Sequence, residues 1–226
     1  MRILIYSAEF GDYEPEIHQP VKPKLRHNVM YSYVQFSDKS LKKFSLWHHR
    51  EPLHLSKGLI DKPQYRARYH KMDPLGLLHE DYDYTLWVDA SMSLLVDPMD
   101  LIELLGDNDL MTFRHRHRDT LAEEGATVIK IKQQDPQVIQ NQLNYYKQAG
   151  YMDYVGLPET GLLLRRVNKK VLAFNERWYS QILTFSVRDQ MSFGFSAWKT
   201  GIKVGFFPGH VRSQKYNILH QHRNQR

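Results

Sequence analysis

Cysteine is absent from the 226 residues. Disulfides and thiolate-held metals are therefore excluded, and the composition is compatible with a reducing compartment. No run approaches the roughly 20 apolar residues that a membrane-spanning helix needs. The opening Met1-Arg2-Ile3-Leu4-Ile5-Tyr6 is too short an apolar stretch for a signal peptide and reads as a first strand. Glycine is sparse, with 12 residues, and only Gly11 falls in the loop from Glu9 to Tyr13 that follows this strand. A glycine-rich phosphate loop is thus missing where a nucleotidyltransferase-like enzyme would carry one. Repeats and low-complexity tracts are also absent. A soluble protein, cytoplasmic by expectation, is what these absences leave.

What is present is a core. Hydrophobic residues make up 42% of the chain and aromatics 12%, enough to fill one large domain over residues 1–226. The formal charge is +6, which suits an anionic partner such as a phosphate-bearing small molecule, nucleic acid or an acidic membrane surface. Part of that excess sits in residues 212–226, where Arg212, Lys215, Arg223 and Arg226 have no carboxylate among them. This basic C-terminal tail is expected to be frayed and solvated, with peripheral membrane contact as the secondary reading.

Strands and helices alternate along the chain. Ile3 to Ser7, His27 to Phe36 and Trp47 to Leu53 read as strands, and Gln64 to Leu78 as a helix that Pro74 kinks or ends. Tyr84 to Val88 is an apolar strand. Asp97-Pro98 caps a helix through Leu105, closed by Gly106. Leu110 to Phe113 is a short strand before a helical region from Thr120 to Ala149, broken at Asp135-Pro136. Gly161 to Arg166 and Ile202 to Phe207 complete the strands. Helices begin at Asn168 and at Arg188-Asp189-Gln190. This order predicts an α/β fold.

The strand Tyr84-Thr85-Leu86-Trp87-Val88 stops on Asp89, two positions before Ser91. In a parallel sheet the strand ends face the ligand crevice, so a carboxylate there either holds a cation or simply forms a turn. Asp89 with Ser91 has the form of an Asp-x-Asp signature whose second acid is replaced. A diphosphate brought to that edge needs neutralising, which a hard divalent cation on carboxylate oxygen supplies. Arg66, Arg68 and Lys71 on the preceding helix either aim charge at such a phosphate or are solvated. Gly161 either allows close approach by a ligand or marks a turn. Asp189 is equally an N-cap or a catalytic group. His210 offers an imidazole to a metal. The run Arg114-His115-Arg116-His117-Arg118 is a basic loop or a nucleic-acid patch, and Glu123-Glu124 can pair with it.

In order along the chain, Arg66-x-Arg68…Lys71…Pro74, Tyr84 to Ser91, Asp97-Pro98, Glu159-Thr160-Gly161-Leu162-Leu163-Leu164-Arg165 and Arg188-Asp189-Gln190-Met191-Ser192-Phe193 resemble glycosyltransferases of the GT-A fold. The chain is similar to the TOD/MUCI-type glycosyltransferase-like domain family, related to retaining nucleotide-sugar transferases. Ile5 to Tyr13 and Tyr33 to Asp38 also fit that family, as do His115, Arg118 and Glu123-Glu124.

The resemblance implies a GT-A-type (Rossmann-like) mixed, mostly parallel sheet flanked by helices. It also implies transfer of a sugar from a nucleotide-diphosphate donor to a carbohydrate or glycolipid acceptor, assisted by Mn2+ or Mg2+. The base would sit among Tyr6, Ser7 and Asp38, with Arg66, Arg68 and Lys71 on the donor side. Asp89, Ser91 and His210 would hold the metal, and Lys215 would neutralise a phosphate. Asp189 and Gln190 would face the reacting carbon, with Glu123 and Glu124 on the acceptor side. The rival readings are a non-catalytic basic module that binds nucleic acid, or a nucleotidyltransferase-like enzyme.

Overall fold

A computed structural model describes residues 1–11, 14, 17–41, 45–52, 62–78 and 81–220. Asp12, Tyr13, Leu53, Arg223 and Arg226 of the sequence motifs lie outside the described residues.

Chain direction at one sheet edge decides where the site lies. Strands β1 (Arg2–Glu9), β2 (Met30–Ser37), β3 (His48–Arg50), β4 (Tyr84–Val88), β6 (Leu110–Arg114), β7 (Pro158–Arg166) and β8 (Val204–Phe206) form a seven-stranded sheet in the order β3-β2-β1-β4-β7-β6-β8. Every strand runs the same way except β7, which is antiparallel to both β4 and β6. The sheet is therefore mixed and mostly parallel. Two short strands, β5 (Met92–Leu94) and β9 (Asn217–Leu219), pair separately.

Alternation within the strands explains the layers. Leu4, Tyr6 and Ala8 of β1 point to one core with α1 (Pro63–Met72), α5 (Lys169–Thr184) and α6 (Asp189–Thr200). Ile3 and Ile5 point to the other, which includes Leu101 and Leu105 of α2 (Pro98–Leu105). Burial on both faces is why β1 and β4 read as unbroken apolar runs. A third cluster joins α3 (Leu121–Lys130) and α4 (Pro136–Gln148) to α6.

Local chemistry sets the helix ends. The carboxylates of Asp97 and Asp135 accept the N–H groups of Met99 and Gln137, and proline follows each cap. Asp135-Pro136 thereby splits the expected long helical region into α3 and α4. The first helix stops at Met72, earlier than Pro74, because Asp73 turns left-handed (φ 44°) and its carboxylate accepts the N–H groups of Leu77 and Leu78.

The basic tail needs correction. Val211, Tyr216 and Asn217 are buried, and Asn217 to Leu219 pairs with β5, so residues up to 220 are built into the fold. The apolar side chains interspersed among the charges supply the reason: they fill the core beside Phe113 and Phe207. Among the described residues no helix is long and apolar enough to cross a membrane.

Candidate active site

Because β7 runs against its neighbours, its beginning lies beside the ends of β4 and β6. Asp89 donates its N–H to the carbonyl of Gly161, while Phe113 and Arg114 at the end of β6 lie opposite Glu159 and Pro158. The Asp89 turn, the start of β7 and the loop after β6 thus share the carboxyl edge of the sheet, where α/β proteins bind ligands. Gly161 lies within β7. A Cβ on it would fall 2.2 Å from Met92 Cε and 3.2 Å from Asp89 Oδ2, so glycine makes room for the protein's own side chains here.

Lys71 ties this edge together. Its side chain is 1% exposed, and its Nζ donates to Asp189 Oδ2 at 2.7 Å, Thr160 Oγ1 at 3.1 Å and Asp89 Oδ1 at 3.3 Å. Three oxygens use all three ammonium donors. Trp87 Nε1 also donates to Asp89 Oδ1, at 2.5 Å. Asp189 further accepts from Thr160 Oγ1 and pairs with Arg68 at 3.5 Å. Burial alone pushes the Asp189 carboxyl up, but Arg68, Lys71 and Arg188 outweigh it and hold the group well below the usual carboxylate range. Asp189 is the first residue of α6, after the N-cap Arg188, and its Oδ1 accepts the first-turn N–H of Gln190 at 3.1 Å.

Beneath Lys71, its carbonyl accepts from both Tyr6 Oη and the guanidinium of the fully buried Arg165. Burial drives the Tyr6 hydroxyl up to about 12, against the pull of Arg165. Tyr6 is therefore a support for Lys71 and has no surface to offer a base. Ser7 is buried close by, its hydroxyl without a partner among the described residues. Asp38 is exposed, accepting the N–H of Gly11 and pairing with Arg66, whose guanidinium lies 4.1 Å over the Phe10 ring.

An open cleft of about 280 Å³ adjoins these residues, lined among others by Arg118, Glu159, Arg188, Gln190, His210 and Arg212. Gln190 is anchored by its Nε2 to the Pro158 carbonyl. Glu159 is a polar lining group to which the sequence assigned no role of its own. Its Oε2 is buried without a partner among the described residues, and burial raises its pKa although Arg212, Arg118 and Arg188 pull it down. No spacing signal marks Glu159, because only the antiparallel strand brings it to this edge.

Other expected residues lie elsewhere. Glu123 belongs to the capping box of α3, bonded to the Asp119 and Thr120 N–H groups. Glu124 is fully buried between Arg118 and Arg188, each donating Nε at 2.7 Å. Lys215 is exposed, its Nζ 5.0 Å over the Tyr216 ring, and does not line the cleft. The Arg114–Arg118 run is not a free stripe, since Arg118 turns in to Glu124 and Arg114 stacks on Phe206 and pairs with Asp119.

The donor set fits a divalent cation in part. Asp89 Oδ2 has no protein partner among the described residues, and His210 Nδ1 is buried and equally unpartnered. Ser91 is largely buried, and no hydrogen bond ties its hydroxyl to Asp89. Among the described residues no group of three or more His, Asp or Glu side chains is assembled for a metal.

The mixed sheet, with its acid at a strand end and its cleft at the carboxyl edge, defines a GT-A-type fold. Two solved structures share it. Mouse xyloside xylosyltransferase 1 in its apo form superposes with a TM-score of 0.51 over 92% of this chain and 85% of its own, at 7% identity. The bifunctional glycosyltransferase WbbM, also apo, gives 0.51 over 91% of this chain and 38% of its own, at 13% identity. Residues 74–222 match the TOD1/MUCI70, glycosyltransferase-like domain, and the chain belongs to that family. It is 26% identical over 223 residues to alkaline ceramidase TOD1 of Arabidopsis thaliana, covering 85% of this chain and 47% of that protein. It is 31% identical over 122 residues to the probable hexosyltransferase MUCI70 of the same plant, covering 49% of this chain and 21% of that protein. The chain thus spans about half the length, or less, of these curated relatives.

Proposed function

We propose that this glycosyltransferase-like domain transfers a sugar from a nucleotide-diphosphate donor to a carbohydrate or glycolipid acceptor. The observation that carries the reading is the coupling of Asp89, at the end of a central strand, to Asp189 at the start of α6 through the buried Lys71, beside a cleft rich in arginine. The acceptor hydroxyl oxygen bonds to the anomeric carbon as the bond from that carbon to the diphosphate oxygen breaks, and the hydroxyl proton leaves to the departing diphosphate or to solvent. The electron pair leaves with the diphosphate, so cations near it lower the barrier. Asp38, Arg66 and Phe10 form the nucleoside side. Gln190 and Glu159 are the polar groups facing the sugar and the acceptor. Asp189, buried and fully engaged, orients Lys71 and Arg68. A divalent cation, when bound, adds charge neutralisation at the diphosphate; Asp89 and His210 would hold it, with the Ser91 hydroxyl as the weakest donor.

A thermal-shift panel of nucleotide diphosphates and their sugars, with and without manganese, tests this. One nucleotide should stabilise the wild type, and Asp89→Ala, still folded, should lose the shift. A flat panel on the wild type would overturn the reading. A second reading has one support: the relative that matches 85% of this chain is named a ceramidase. Release of fatty acid from a fluorescent ceramide, with no nucleotide-sugar turnover, would favour hydrolysis.

A further inference from the structure

Two arginines are held with their binding ends spare. Glu124 on α3 is completely buried, and its two oxygens serve different partners: Oε2 accepts from Arg118 Nε and Oε1 from Arg188 Nε, both at 2.7 Å. Each guanidinium is gripped by one of its five donors. The terminal nitrogens of both arginines have no protein partner among the described residues, and both side chains remain partly exposed in the cleft, at 23% and 30%. The loop presenting Arg118 is stiffened, because His115 Nδ1 accepts the N–H groups of His117 and Arg118 and the His115 N–H donates to the Leu157 carbonyl. Arg116 and Arg212 line the same cleft, and among the described residues Glu159 is its one lining carboxylate. Positive charge therefore exceeds negative there before any histidine is counted.

A buried acid that fixes two guanidinium groups while leaving their forks empty is built for an outside oxyanion. We propose that Arg118 and Arg188, positioned by Glu124, clamp an anionic group of the substrate. The shared chemistry is a phosphoryl or carboxylate oxyanion, carried either by the leaving diphosphate or by an acidic sugar. The inference rests on the transferase reading for its biological setting; the clamp itself is a binding site that stands or falls separately. Glu124 acts as a positioning residue, touching the arginines and not the ligand.

Calorimetric titration with inorganic pyrophosphate, and separately with glucuronate against neutral glucose, reads the clamp and tells its two sources apart. Saturable binding of either anion, with none of glucose, is expected. Removing both arginines alone would strand a buried charge, so the informative variant is the triple R118Q/E124Q/R188Q, which leaves no bare carboxylate. It should bind the preferred anion about tenfold more weakly or worse, as loss of charge-assisted hydrogen bonds dictates. Glu124→Gln, which keeps both arginines but loosens one, should weaken the anion. The Asp89-dependent nucleotide shift should shrink with it if pyrophosphate is the preferred anion and persist if glucuronate is. A purely structural role would lower the melting temperature and leave anion affinity unchanged. Unaltered anion binding in the folded triple variant, or no anion binding by the wild type, overturns the clamp. A flat nucleotide panel alongside clamp-dependent anion binding would sink the transferase reading and leave the clamp intact.

Discussion

Two sets of buried charge meet at the carboxyl edge of the sheet, and they are spent differently. Around Lys71 a single cation faces two aspartates and a threonine, and every ammonium hydrogen has an oxygen. Around Glu124 a single anion faces two arginines, and among the described residues most guanidinium hydrogens have no protein oxygen. The chemistry is alike, an acid and a base out of water, but the donor count differs. The closed set pins α1, β4, β7 and α6 in register; the open set still has bonds to make. Burial and charge alone would rank the two as equivalent sites.

The largest effect should come from opening the closed set. Lys71→Met removes the cation hydrogen-bonded to the buried Asp189 and leaves Arg68 and Arg188 to offset its charge, and breaking one partner of a buried pair costs about 3–5 kcal/mol. A urea unfolding curve should show the midpoint fall with little change in slope. The double variant K71M/D189N, which removes the orphaned charge as well, should recover much of the loss. If Lys71→Met alone is neutral, the pin is not structural and Lys71 belongs with the open set.

How much of this was legible in the sequence follows from which residues are local to their signals. Asp89 announces itself because an apolar strand ends on it, and Asp97, Asp135 and Asn168 because caps and prolines are short-range chemistry. The family resemblance grouped the Arg188-Asp189-Gln190 turn with Asp89, and in the fold Lys71 bridges the two aspartates. Glu159 and Glu124 escaped a settled role for a different reason. Their environments depend on β7 running backwards and on α3 docking beside α6, pairings between residues far apart in sequence. Tyr6 misled because a polar tip at a strand end looks like ligand chemistry; its hydroxyl instead holds the Lys71 carbonyl beneath the site. The tail misled because its charges were read and its buried Tyr216 and Asn217 were not.

A pH experiment sharpens the same contrast at intermediate size. His70, one residue before Lys71, is fully buried, donates Nδ1–H to the Arg66 carbonyl and packs against Phe36. Burial pushes its pKa down to about 4, the Arg66 bond only partly offsetting this. The unfolded chain, with a histidine near 6.5, takes up a proton that the folded one refuses. Stability is therefore complete above pH 6.5 and is lost as pH falls from there towards 4, by about 3 kcal/mol across the window. Melting temperatures of the wild type should fall over that interval, and His70→Gln should flatten the slope. Asp189 behaves oppositely in position: its depressed pKa contributes stability above about pH 4, the usual carboxylate value, which is lost only in stronger acid. A wild-type curve flat between pH 6.5 and 4 would show that the α1 end of the closed set admits water.

The smallest effect separates neighbours. Glu123 and Glu124 are adjacent in sequence and similar in chemistry, yet one closes a helix end in solvent and the other is sealed between arginines. Hydrogen bonds from the Asp119 and Thr120 N–H groups lower the Glu123 pKa, so its contribution is present above the ordinary carboxylate range and fades below it. Glu123→Ala should lower the melting temperature slightly at neutral pH and leave anion binding in the cleft untouched. Thr120→Ala, which opens the other half of the same box, should cost about 1 kcal/mol. The box secures the first turn of α3, which carries Glu124, but the grip on Arg118 and Arg188 is made by the Glu124 carboxylate itself, so neither change removes a bond to the forks. Loss of anion affinity in Glu123→Ala would mean that the two glutamates act as one unit, and the line drawn between the closed and open sets would have to pass between α3 and its cap rather than between Lys71 and Glu124.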